Sequence, residues 1–306
     1  MRHLLCILVA LLVSAGARAG VGVTPDVDSA DSAGLFVGVQ RFQADDSIEQ
    51  VKYAVDDAVD LAYALSETKL LMPKQIALAL CGEPMKAISK AHLAELTREG
   101  ASVHAATQSE IIRLLESQAE KVGKSGILVA SFATHGVTDD GVQYLLTASS
   151  RLRDRETSLS EAKIRDIVYE SGVERSLIFI DACRQKLTKG PRPPLGDPRS
   201  AAALLKSLAG VYGHVVYSAA AVGGYAYDDD ETCNGVFTAA VIAALECGAK
   251  TVKGYVTVDT LNTFVEKRVL SWVRTHRQPR ARKATQLLCE GQAKKMRLSV
   301  CARRAH

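Results

Sequence analysis

Five short apolar runs, separated by stretches of helical periodicity, constrain this sequence more than any other feature. They cover residues 35–39, 76–80, 126–132, 176–180 and 214–218. Each is short and rich in aliphatic or aromatic residues, as a strand buried on both faces should be. Between them the apolar residues step by three and four. Ser47 and Gln50 have the spacing of a capping box, and Ile48, Val51, Val55, Ala58, Ala62 and Leu65 follow on one helical face. Residues 86–98, 107–121, 160–170, 236–247 and 258–272 also read as helices, and 295–300 as a last strand. The turn Asp139-Asp140-Gly141 before residues 142–146 predicts a short hairpin strand. Strands alternating with helices throughout predict an α/β fold, a mostly parallel sheet with helices on both faces. The stretch 186–199 holds four prolines and two glycines and reads as a loop inside that alternation. A single domain over residues 34–300 is therefore expected.

The first residues stand apart. Arg2 and His3 precede an apolar run from Leu4 to Val13, and small residues follow, ending in Ala17-Arg18-Ala19. This is the pattern of a secretory signal peptide over residues 1–19, followed by a flexible leader over 20–33. The run is too short for a membrane span, which needs about 20 apolar residues. The expectation is an exported protein, periplasmic or extracellular, with no stable membrane insertion after cleavage. Losing Arg2 and Arg18 and no acid takes the formal charge from +4 to +2. So small an excess argues against general nucleic-acid binding. Of seven cysteines, Cys6 leaves with the signal. The other six lack paired zinc-type spacing, and export permits disulfides whose pairing the sequence does not give.

In open α/β sheets, ligands bind beyond the carboxyl ends of the strands. Two such ends carry reactive side chains here. The run 126–132 leads into His135 and Gly136, and the run 176–180 leads into Asp181 and Cys183. A thiol near pKa 8.5 is mostly protonated at neutral pH, and an imidazole beside it can take its proton and later protonate a leaving amine. Gly136, without a side chain, can bring its N–H to a substrate carbonyl and form an oxyanion hole with the Cys183 N–H.

These segments resemble the caspase and metacaspase family of cysteine peptidases. Ser131-Phe132-Ala133-Thr134-His135-Gly136 is similar to the family's "HG" strand end, and Ile178-Phe179-Ile180-Asp181-Ala182-Cys183-Arg184 to its "DAC" strand end. His135 lies 48 residues before Cys183, close to the family's separation of about 50. Tyr53-Ala54-Val55-Asp56-Asp57-Ala58, Asn234-Gly235-Val236-Phe237-Thr238 and Gly254-Tyr255-Val256-Thr257 extend the likeness, in order, over roughly residues 33–290.

The resemblance implies a caspase–hemoglobinase fold with a six-stranded, mostly parallel sheet. It implies a Cys183/His135 dyad acting through a thioester acyl-enzyme on protein or peptide substrates. It also implies an acidic pocket for the Arg or Lys before the cut bond, with Asp181 at the matching position and Asp57 at the second. Some relatives bind calcium, but this chain has Ser149-Ser150 where an Asp is common and no carboxylate cluster of metal-loop spacing. No metal or other cofactor is expected. Lys186, Lys189, Arg192 and Arg199 make the loop 186–199 a candidate self-cleavage site. The alternative reading is a catalytically inactive caspase-like module that binds peptides in the same groove. The oligomeric state is not legible. An α/β-hydrolase elbow would need glycines on both sides of the nucleophile, and Asp181-Ala182-Cys183-Arg184-Gln185 has neither.

Overall fold

A computed structural model describes residues 27–183, 185–186, 213–220, 224–277, 279, 281, 283–289 and 291–301. The leading segment to residue 26 and most of the loop 186–199 lie outside the described residues. The strands, in chain order, are β1 (Ala33–Val39), β2 (Ile76–Cys81), β3 (Ser102–Ala105), β4 (Leu128–Ala133), β5 (Gly136–Asp139), β6 (Val142–Leu145), β7 (Leu159–Ser160), β8 (Ser176–Asp181), β9 (Gln185–Lys186), β10 (His214–Ser218), β11 (Asp228–Asp229), β12 (Asn234–Gly235), β13 (Tyr255–Thr257), β14 (Gln286–Leu288) and β15 (Arg297–Val300). The α-helices are α1 (Ala54–Glu67), α2 (Ala87–Arg98), α3 (Gln108–Glu120), α4 (Glu161–Glu170), α5 (Val236–Ala243) and α6 (Val258–His276).

The central sheet has seven strands among the described residues, in the order β14-β10-β8-β4-β1-β2-β3. All neighbours pair parallel except β14, which closes one edge antiparallel to β10. Strand side chains alternate between two cores, as the two-residue period demands. Phe36, Leu78, Val129, Leu177, Phe179 and Tyr217 face α1, α5 and α6. Leu35, Val37, Ala130, Phe132, Ile178 and Ile180 face α3 and α4. Burial on both faces explains why the strands read as unbroken apolar runs. Full burial of each large side chain stabilises the fold by about 1.5–3 kcal/mol. Gly38 lets α1 close on β1, because a Cβ there would press on the Ala54 carbonyl and Val55 Cα.

Several expectations need correction. The sheet has seven strands where six were expected. The two strands without a sequence signal, β3 and β14, lie at its edges, and β3 is mostly exposed. The final strand β15 pairs with β13 outside the central sheet. The helix read from Ser47 begins only at Ala54, and Ser47 bonds Asp45 instead of capping a helix. Residues 40–53 are thus a loop at the active end of the sheet. Residues 27–33 are packed, not a free leader: Val27 and Ser32 are buried and Ser32 donates to the Asp28 carbonyl. The helix read over 236–247 leaves helical geometry at Glu246 and Cys247, and Cys247 forms a disulfide with Cys301.

The chain winds outward from β1 through β2 to β3, then returns to β4 and winds the other way. Loops at the carboxyl ends of β1 and β4 diverge at this reversal and leave a crevice there.

Candidate active site

Strand register brings the two reactive groups together. β4 and β8 are adjacent and parallel, with Ala133 opposite Asp181. His135 and Cys183 each lie two residues further on, so both leave the sheet from one rung. Gly136 packs against Cys183: a Cβ on it would run into the Cys183 carbonyl. Gln143, on β6, donates to that carbonyl at 3.0 Å and fixes the nucleophile's backbone.

His135 stacks on Phe42 at a centroid distance of 5.4 Å, and its Nε2 lies 2.8 Å from the Glu49 carbonyl. A carbonyl can only accept, so Nε2 carries the proton and Nδ1 is the basic nitrogen of the neutral ring. Burial pushes the imidazole pKa below its ordinary 6.5, against the opposing pull of the Glu49 carbonyl. The Cys183 thiol is half-buried and donates weakly to the Ala226 carbonyl at 3.7 Å. Burial pushes the thiol pKa upward against the opposing pull of the Ala226 carbonyl, with smaller upward contributions from Asp181 and Asp228. A neutral thiol beside a neutral imidazole is the resting state these shifts favour.

Asp57 and Asp181 also converge. Asp57 comes from the first turn of α1 and is 3% exposed, so it does not face solvent. Its Oδ1 accepts from the Asn234 side chain at 2.9 Å and from the Gly235 N–H at 2.8 Å. Asp181 accepts from the Thr238 hydroxyl at 2.7 Å and more weakly from the Thr238 N–H. A side chain at Gly235 would strike the Asp181 carboxylate and lie 3.1 Å from Asp57 Oδ2, so only glycine fits between them. Burial raises the Asp57 carboxyl well above the ordinary range, and the charge on Asp181 adds to this. Burial raises Asp181 to about 7, assisted by Asp228 and opposed by Thr238.

This shift has a measurable consequence. In the unfolded chain Asp181 ionises near 3.8, while in the folded protein it keeps its proton to about 7. Between these values the folded state binds the extra proton, so stability falls as pH rises. Asn at this position removes the titration. Relative to wild type, Asp181→Asn should gain about 2–3 kcal/mol between pH 5 and pH 8. Urea unfolding at the two pH values measures this, and wild-type and variant curves that move in parallel would refute it.

The structure therefore brings together four of the residues singled out from sequence, and Gly136 with them. Sequence reasoning missed the groups that hold them: Glu49 on His135, Gln143 on Cys183, Asn234 and Gly235 on Asp57, and Thr238 on Asp181. The segment Asn234–Thr238 did carry a motif signal, though without a role for each residue. Glu49 acts through its backbone, so its side chain left no signal. Asp228, exposed on β11, is a further acid near the site that sequence reasoning passed over. Among the described residues no group of three or more His, Cys, Asp or Glu side chains is placed to hold a metal ion.

A family model for the caspase domain, peptidase C14, matches residues 33–296. This chain belongs to the caspase-domain family. Membership makes it a protein of the cysteine-peptidase kind, whose substrates are proteins. A search of curated proteins found no match. Among solved structures, caspase-1 from Spodoptera frugiperda is 13% identical with a TM-score of 0.54, covering 92% of this chain and 94% of that one. A protein from Geobacter sulfurreducens is 14% identical with a TM-score of 0.56, covering 89% and 100%. At such identities the likeness speaks for the fold alone, and it is the caspase fold expected from the sequence.

Proposed function

We propose that this caspase-domain protein is an exported cysteine endopeptidase that hydrolyses peptide bonds after Arg or Lys. The observation that carries the reading is the common rung of His135 and Cys183 beside two buried carboxylates. As the Cys183 sulfur attacks the scissile carbonyl, its proton passes to His135 Nδ1. Base-assisted attack suits a raised thiol and a lowered imidazole better than a preformed ion pair. In the β5–β6 hairpin the Leu146 N–H bonds to the His135 carbonyl, and Gly136 pairs with Leu145. Antiparallel pairs alternate, so the Gly136 N–H points away from β6. It is thus available with the Cys183 N–H for the developing oxyanion. His135 then protonates the leaving amine, and water hydrolyses the thioester.

The specificity reading rests on Asp181 and Asp57. A guanidinium or ammonium entering beside Cys183 would meet two carboxylates that share charge near neutral pH, and its arrival would favour ionisation of both. A peptidyl-Arg chloromethyl ketone tests site and specificity together. The expected result is one covalent adduct on the Cys183 peptide, and no adduct from the Asp analogue. Labelling at another cysteine, or none, sinks the reading; none at all would favour the inactive module.

Export is supported by the Cys247–Cys301 disulfide, which closes a span of 54 residues around α6. The disulfide ties the end of β15 to the segment that follows α5, and the Cys301 N–H bonds to the Gly254 carbonyl just ahead of β13. Cys247→Ser should lower stability by about 2–4 kcal/mol, read by urea unfolding with and without reductant. Reductant should destabilise wild type and leave the variant unmoved. N-terminal sequencing from the native host should find Gly20 first, and Met1 at that end would overturn export.

A further inference from the structure

Behind the acidic pair lies a second polar cluster that the chemistry described so far does not use. Lys86, at the start of α2, reaches in from the surface with only 16% of its side chain exposed and pairs with Asp60 of α1. The same ammonium donates to Asn234 Oδ1. The Asn234 amide nitrogen donates to Asp57 at 2.9 Å and to Asp60 at 3.3 Å. His92 completes the cluster, with Nδ1 2.9 Å from Asp60 and its ring stacked on Tyr63 at 3.9 Å. The backbone that carries Lys86 is itself clamped: Asp56 accepts from the Met85 and Lys86 N–H groups, both at 2.9 Å.

An ammonium can donate but not accept. With Lys86 on its oxygen, Asn234 has only one orientation, and that orientation gives its two N–H bonds to Asp57 and Asp60. We propose that Lys86 is a positioning and specificity-determining residue for the basic-side-chain pocket. Through Asn234 it aims a donor at Asp57, and its charge offsets Asp60, so that Asp57 can stand as a carboxylate when Arg or Lys arrives. The inference rests on the reading of Asp57 and Asp181 as that pocket. Among the described residues, the charged and titratable groups around Asp57 and its neighbour Asp60 include Asp56 and Asp60 on its own helix, Asp181 on β8, Asp228 on β11, and Lys86 and His92 from the α2 side. Four of these six are acids, so removal of the one lysine exposes Asp57 to uncompensated negative charge. Burial alone would lift Asp60 as well; the bonds from Lys86 and His92 hold it below the usual carboxylate range. In that state Asp60 is the anion that Lys86 offsets.

Opposite charge changes must then act in opposite directions. Lys86→Met should shift ionisation of Asp57 upward by about one pH unit or more, and Asp60→Asn should shift it downward. On an Arg peptide at pH 6.5, Lys86→Met should lower kcat/KM about tenfold, mostly through KM, and Lys86→Arg should restore part of the loss. Carboxyl carbon NMR titration of the Cys183→Ala protein, with Asp57→Asn to assign the signal, reads the ionisation without needing cleavage. Shifts of opposite sign in the two variants, each still folded by circular dichroism, bear the inference out. An Asp57 midpoint that stays put, or moves the same way in both, overturns it. If the midpoints move as expected but wild type does not cut Arg peptides, the pocket reading fails and the coupling stands.

Discussion

Cys183→Ala and His135→Ala should each lower kcat/KM on an Arg peptide by at least about a thousandfold. The two side chains act as one unit, so loss of either removes nearly all of the rate they supply together. Neither change should unfold the protein. The Cys183 thiol makes one weak bond, to the Ala226 carbonyl at 3.7 Å, and Ala at a half-buried position leaves only a small void. His135→Ala gives up the stack on Phe42 and the bond to the Glu49 carbonyl, a loss of about 1–2 kcal/mol. Far-ultraviolet circular dichroism and melting temperature confirm the fold, and peptide cleavage reads activity. A folded Cys183→Ala protein that still cuts would refute the assignment of the nucleophile.

Peptides that differ only in the residue before the cut bond should be cleaved at least about a thousandfold faster with Arg than with Asp. A guanidinium gains charge-assisted hydrogen bonds from Asp181 and Asp57, whereas a substrate carboxylate meets like charge at a water-poor site, which costs several kcal/mol. Asp181→Asn should cut kcat/KM on the Arg peptide by about 10–100-fold, with KM rising more than kcat falls. The preference is also pH-dependent. Asp181 releases its proton at about 7, so kcat/KM on the Arg peptide should rise through that value, and this limb should weaken in Asp181→Asn. Faster cleavage after Asp, or an unaltered Arg preference in Asp181→Asn, would show that these carboxylates do not read the substrate.

The amino-acid sequence by itself determined the layered α/β fold and the two strand ends that carry His135 and Cys183. Burial on both faces writes the parallel strands as continuous apolar runs, and helices announce themselves by their period. Both signals are local, and so are reactive residues placed just past a strand. What sequence could not supply was decided by contacts between distant segments. The Ala133–Asp181 register puts His135 and Cys183 on one rung, and only strand pairing across 48 residues sets it. The edge strands β3 and β14 have little apolar pattern because one or both faces are open, so neighbours, not periodicity, make them strands. Residues 48–51 carry helical periodicity yet form a loop, because Ile48 is buried against the sheet while the Glu49 carbonyl turns to His135. The network from Lys86 through Asn234 to Asp57 joins residues 148 and 177 apart along the chain. Such pairings arise only after collapse, when each buried charge must find a partner or stay protonated. For that reason the tertiary structure, not the motif, decided the protonation, orientation and charge of the site.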